Sequence, residues 1–267
     1  MFDLSITIVS YNNKRDILRC LESMFEYEKN CGLSLQIFIV NNSHQESCKE
    51  LEQKFSVKVL ESEQNKGFGG GHNSVLSFIN SKYHIVLNPD ILFKEPILNR
   101  LIKYLDDNPE IGALAPLIVD AKGNVQDVYR KELAILDLIC RYAPFPFCAF
   151  PACKKRNSLH TMKNVDKRSP FECEWFFMYA EDADLCKRIR LAGRKVVCFP
   201  GGKVVHKWEK ASHRSFKLCR IHFTSLAKYF YKWKFTRGGE WLAEEIELVP
   251  LTSYSLYGFA HVGRSAA

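Results

Sequence analysis

HIVLNPDILF, residues 84–93, sets the reading of the whole chain. Ile85, Val86 and Leu87 form a short apolar run of the kind that fills a buried strand. The Asn88-Pro89 step ends it, because proline cannot donate to a sheet ladder and pushes the residue before it away from helical angles. Asp90 therefore stands just past the carboxyl end of a strand, where open α/β sheets place their ligands. A lone carboxylate with Asn88 two residues earlier suits one divalent ion that keeps waters and takes its other ligands from substrate phosphates. Taken alone, Asn-Pro-Asp reads first as an Asx-Pro turn whose carboxylate caps local backbone.

The flanking segments change that balance. LSITIV (4–9) and LQIFIV (35–40) are apolar runs that fit buried parallel strands, with further strands expected over 57–60, 83–87 and 111–117. Between them, 15–27 shows helical spacing, with Ile17, Leu18, Leu21, Met24 and Phe25 on one face, and 48–55 and 96–107 follow suit. Strand and helix alternating at this spacing predict right-handed βαβ units on a parallel sheet. Three strands then end in polar residues at one edge: Ser10-Tyr11-Asn12, Asn41-Asn42-Ser43 and Asn88 to Asp90. Such convergence implies a ligand crevice.

NKGFGGGHN (65–73) supplies backbone that a ligand can approach closely, and a helix is expected to follow from Asn73 to Asn80 with a start suited to a negative group. It is neither GxGxxG nor a Walker A loop, and a flexible turn is its plain alternative. Beyond Asp120 the signal weakens. Residues 120–170 read as a loop-rich insertion with a basic, partly apolar surface, most simply a solvated face. Order returns at WFFMYAEDADLCKRIRLAG (175–193), where Glu181, Asp182 and Asp184 open a helix that Gly193 closes. Acidic residues at a helix start complement its dipole, and can also point into a cleft. KVVCF (195–199) reads as a strand, Pro200-Gly201-Gly202 as a turn, and His206 lies just past the apolar run after it. The segment 213–235 is helical, basic and aromatic, a pattern for an anionic membrane surface or for a helix docked on the domain.

Length and composition bound the function classes. With 267 residues, 46% hydrophobic and 25% charged, the chain has the makings of a globular protein with a real core. The net charge of +8 favours an anionic partner. Ten scattered cysteines without CxxC spacing suit reduced thiols in a reducing compartment. The N-terminus does not read as a signal peptide and no run is long enough to span a bilayer, so a cytoplasmic protein is expected. Nucleic-acid binding is disfavoured, because the basic residues are dispersed and no recognisable module is present.

ITIVSYN (6–12), IFIVNNS (37–43), NKGFGGGHN (65–73), LNPDIL (87–92) and FFMYAEDADLCKRIRLAG (176–193), in this order, resemble family 2 glycosyltransferases, and among them bacterial rhamnosyltransferase-like enzymes. The resemblance implies a GT-A fold: a mixed, mainly parallel sheet flanked by helices, here with a C-terminal helical tail. It also implies inverting transfer of a sugar from a nucleotide diphosphate donor, with Mg²⁺ or Mn²⁺. Position by position, Asp90 would be the metal ligand, with His206 completing the metal shell. Ser10, Tyr11 and Asn12 would line the nucleotide pocket, Asn41 would lie beneath the base where many relatives carry Asp, and Asn88 would belong to the same donor-binding set. Gly69, Gly70 and Asn73 would shape the donor site; Asp182 would be the catalytic base, with Glu181 its less favoured neighbour. The family's Gly-Ala-x-Met segment, which helps build the acceptor side, is missing before Phe176.

The expected division is a donor-binding half over 1–118, an insertion with the acceptor and catalytic half over 119–212, and a basic aromatic helix and tail over 213–267. The expected partners are a nucleotide-diphosphate sugar, a glycan or lipid-linked acceptor and an anionic membrane surface at the inner face of the cell membrane. The expected role is surface polysaccharide synthesis with rhamnose as a candidate sugar. Two alternatives stand beside it: a catalytically impaired nucleotide-sugar-binding relative, and a sugar-phosphate nucleotidyltransferase, which the absence of a basic glycine-rich N-terminal signature disfavours.

Overall fold

The computed structural model of the chain describes residues 1–126, 129–130, 171–172, 175–176, 181–206, 216–233 and 261–264. Most of the expected insertion, and the tail apart from 261–264, lie outside these residues. The first half is built as the periodicity requires. Strand β1 (Phe2–Ser10), helix α1 (Lys14–Glu28), β2 (Leu35–Asn41), a short α2 (Leu51–Lys54), β3 (Lys58–Glu61), α3 (Gly67–Asn73) and β4 (Ser81–Leu87) follow in order. β1 pairs in parallel with β2 and β4, and β2 with β3, so Ser10 lies beside Asn41 and Ile8 beside Leu87. The three polar strand ends thus do share one edge.

β5 (Ile91–Phe93), α4 (Leu98–Asp107), β6 (Ile111–Val119), the two-residue strands β7 (Tyr129–Arg130), β8 (Phe171–Glu172) and β9 (Trp175–Phe176), α5 (Glu181–Leu191), β10 (Lys195–His206), α6 (Phe216–Trp233) and β11 (His261–Arg264) complete the described chain. The main sheet runs β3-β2-β1-β4-β11-β6-β10-β5, with β8 on β10, while β7 and β9 form a separate ribbon. β6 and β10 are parallel; β5, β8 and β11 enter antiparallel. The sheet is therefore mixed and mainly parallel, as expected.

β1 is buried on both faces, which is why it reads as an unbroken apolar run. Leu4, Ile6 and Ile8 join the larger core with α1 and α4, while Val9 joins a smaller one with Phe38, Val40, Phe68, Val86 and Leu185. Glu28, buried at the end of α1, accepts the amides of Ile97 (2.6 Å) and Leu98 (3.1 Å) and so satisfies the start of α4 from another helix.

Three expectations change. The glycines of 67–71 are not a loop before a helix: they form α3 themselves, and Asn73 ends that helix instead of starting it. Pro200-Gly201-Gly202 does not turn the chain; it bulges from one continuous strand, since Phe199 pairs with Pro116 and Lys203 with the next residue, Leu117. The chain's final described segment, for which the sequence suggested no place, enters the middle of the sheet. His261 to Arg264 pair with Val86 to Tyr83 of β4, and Val262 also pairs with Leu114 of β6.

Candidate active site

Strand register assembles the corner around Asp90. β4 ends at Leu87, the Asn88-Pro89-Asp90 turn follows, and β5 starts at Ile91. β5 runs antiparallel to the end of β10, with Ile91 opposite His206. This carries His206 to Asp90, and His206 Nε2 lies 3.1 Å from Asp90 Oδ2. The other oxygen, Asp90 Oδ1, is buried without a hydrogen-bond partner among the described residues. Such a lone pair is costly to bury unless something else uses it. A carboxylate with one orphaned oxygen beside an imidazole suits a divalent cation that draws its remaining ligands from elsewhere. No group of three or more His, Cys, Asp or Glu side chains disposed to hold a metal occurs among the described residues. Gln126, not anticipated from the sequence, supports the corner by donating Nε2 to the His206 carbonyl at 3.0 Å.

The polar edge is held by its own amides. Ser10 Oγ and the Tyr11 amide both donate to Asn13 Oδ1 at 3.0 Å. Asn12 takes a left-handed φ of 56°, and its side chain bonds Ser43 Oγ and Gln45. Tyr11 is exposed beside them, while Asn88 is buried. Asn41 departs from the expectation that it lies beneath a base. It is fully buried, its Nδ2 donates to the Glu46 carbonyl (2.6 Å) and Glu61 Oε2 (2.7 Å), and its Oδ1 accepts the Ser43 amide. With both ends of the amide used internally, Asn41 braces the turn, and the exposed carboxylate at this corner is Glu61.

Gly69 and Gly70 lie within α3, and Asn73 is half-buried at its end. The helix is tied to β2 by Asn42 Nδ2, which donates to the Gly67 carbonyl at 2.7 Å. At Gly71 α3 comes close against β1: a Cβ there would lie 2.8 and 2.9 Å from the Val9 methyls. Burial pushes His84 of β4 down to about 4; burial, reinforced by His84, lowers His72 of α3 well below its usual value, so both imidazoles are neutral near pH 7.

Glu181 and Asp182 are the first two residues of α5. Leu185, one turn on, belongs to the same buried cluster as Val9 of β1 and Val86 of β4. Leu185 thereby packs the early part of α5 into the cluster that β1 and β4 share. The fold thus gathers the polar ends of β1, β2 and β4 along one edge of the sheet.

A model described as glycosyl transferase family 2 matches residues 5–184, and the chain belongs to that family. It is a glycosyltransferase. It is 24% identical over 246 residues to the rhamnosyltransferase WbbL of Escherichia coli (strain K12), an alignment covering 84% of this chain and 91% of that protein. It is also 26% identical over 208 residues to the low-salt glycan biosynthesis hexosyltransferase Agl10 of Haloferax volcanii, covering 70% of this chain and 62% of that one. In fold it is similar to the mannosyltransferase PcManGT from Pyrobaculum calidifontis, solved in complex with GDP-Man and Mn²⁺, with a TM-score of 0.55 and 14% identity over 86% of this chain and 64% of that one. GalNAc-T7, solved with UDP, GalNAc and Mn²⁺, gives a TM-score of 0.56 at 14% identity over 88% of this chain and 50% of that one. The fold is GT-A.

Proposed function

We propose that the chain is an inverting glycosyltransferase that moves a sugar, rhamnose in the first instance, from a nucleotide diphosphate to a glycan or lipid-linked acceptor in surface polysaccharide synthesis. The observation that carries the reading is the Asp90–His206 pair with its orphaned carboxylate oxygen, set at the polar edge of the sheet. The similarity to WbbL favours rhamnose.

In this reading Tyr11 offers an exposed ring to the base, Ser10, Asn12, Asn73 and Asn88 line the donor pocket, Gly69 and Gly70 let backbone approach it, and Asn41 acts through Ser43 and Glu61. Asp90 and His206 hold Mg²⁺ or Mn²⁺, which supplies neutralisation of the charge developing on the departing diphosphate. Asp182 takes the proton from the acceptor hydroxyl, whose oxygen attacks the anomeric carbon from the face opposite the leaving group. Glu181 is its alternate. Deprotonating one oxygen while the nucleotide departs calls for no second acid.

Calorimetric titration of UDP- and dTDP-sugars with and without Mn²⁺ tests this. Metal should tighten one of them, and Asp90→Asn should weaken that binding roughly tenfold or more; a wild-type chain whose nucleotide binding ignores the metal sinks the reading. Donor binding without transfer to any acceptor would indicate the impaired relative instead. No helix among the described residues is long and apolar enough to cross a membrane. We further propose that the protein works in the cytoplasm at the inner face of the membrane, where exposed Lys228 and Tyr231 of α6 meet anionic headgroups. Sedimentation with phosphatidylglycerol vesicles but not with phosphatidylcholine vesicles is the expected result, and equal behaviour with both removes the membrane.

A further inference from the structure

One carboxylate in the first turn of α5 is committed to something other than substrate. Asp184 is only 6% exposed. Its Oδ2 faces Arg188 Nε at 3.2 Å, one turn along the same helix. Its Oδ1 accepts from Lys232 Nζ at 2.6 Å and from Trp233 Nε1 at 2.8 Å, the last two residues of α6. A second tie runs beside it, with Lys187 Nζ 4.8 Å from the centre of the Trp233 ring. Trp233 and Tyr229 are buried, so these two aromatics of α6 face the protein.

We infer that Asp184 is a positioning residue: through Lys232 and Trp233 it fixes the rotation of α5, and with it the placement of Glu181 and Asp182. The inference rests on the reading of Asp182 as the base. Ala183, Leu185 and Cys186 are buried and set the depth of α5, but apolar contacts are non-directional and permit a helix to roll. Charge-assisted hydrogen bonds are directional, and a buried carboxylate that loses its partners is strongly disfavoured. Asp184 follows Asp182 by two residues, about 3 Å along the axis. A roll that displaced Asp182 would have to break the bonds to α6 first. Misplacing a reacting group by about 1 Å can cost on the order of a hundredfold in rate, so the C-terminal helix acts as part of the catalytic apparatus.

The test uses the full chain as wild type and as Asp184→Asn, Lys232→Met and Trp233→Phe, the last removing only the indole donor. Three readouts are taken: hydrogen–deuterium exchange over 181–191, Mn²⁺-dependent binding of UDP and dTDP, and turnover with the sugar donor that binds best. Exchange over 181–191 should rise roughly tenfold while β1 and β4 keep their protection. Nucleotide affinity and donor KM should stay within about twofold while turnover falls about tenfold or more. Unchanged exchange over 181–191 in Trp233→Phe, or nucleotide affinity falling in step with turnover, overturns the proposal. If Asp184→Asn does not fold, Lys232→Met and Trp233→Phe decide. A wild-type chain that binds neither nucleotide with metal overturns the functional reading instead, and the exchange measurement then judges the clamp alone.

Discussion

Asp90 and His206 are 116 positions apart, and neither is informative by itself: one sits in an Asn-Pro-Asp turn, the other after a valine pair. Their 3.1 Å approach comes from the antiparallel register of β5 on β10, a relation that local patterning does not encode. Asn41 shows the opposite case. Its place at a strand end was legible, but its burial depends on Glu46 and Glu61 closing over it from later in the chain. Gly71 is a further residue whose importance is tertiary. The run of glycines advertised close approach somewhere, and the Val9 side chain decides where. Gly71→Ala would place a methyl 2.8 Å from Val9 and 3.2 Å from Asn42 Nδ2. We expect it to lower stability by about 1–3 kcal/mol, as overpacking does, read as a lower urea midpoint. Metal-dependent nucleotide binding should weaken with it, because Val9 adjoins Ser10. An unchanged midpoint would mean that α3 can shift freely.

Elements with a strong period were legible from sequence; those dominated by glycine and proline were not. The apolar stripe of α1 predicted its buried face, with Ile17, Leu21 and Met24 in the core and Leu18 and Phe25 packed against it. α3 was missed because each glycine disfavours helix by about 1 kcal/mol relative to alanine, and here close packing on β1 and the Asn42 bond outweigh that preference. Gly201 misled in the same way. Two glycines after proline suggest a reversal, yet they let one strand bulge while the Phe199 ring covers Gly201, where a Cβ would lie 2.2 Å from it, and stacks on Tyr104 at 4.5 Å. α6 was readable as a basic, aromatic helix, docked or membrane-facing, but not which of its residues meet the protein or where. Asp184, which receives its end, is indistinguishable in sequence from an ordinary helix-start acid.

At the scale of the molecule, the chain's end closes its own sheet. β4, whose end leads into Asp90, and β6 run side by side with β11 antiparallel between them, and Val262 pairs with both Ile85 and Leu114. Residues 261–264 contribute an inserted antiparallel strand that lies far in sequence from both of its neighbours. Val262→Pro removes an amide donor from a strand flanked on both sides. The expected cost is about 1–3 kcal/mol for the bond lost, seen as a lower urea midpoint and faster amide exchange in 81–87. An unaltered midpoint would show that the sheet stands without its last strand. By itself the sequence determined the alternation of strands and helices, the shared polar edge and the family, because hydrophobic period and strand-end chemistry are local and survive in one dimension. Tertiary structure alone decided that Asp90 meets His206, that Asn41 turns inward, that Asp184 binds α6 and that residues 261–264 fill the gap beside β4. Those outcomes depend on register and on which surfaces pack, and residues far apart in the chain settle both together.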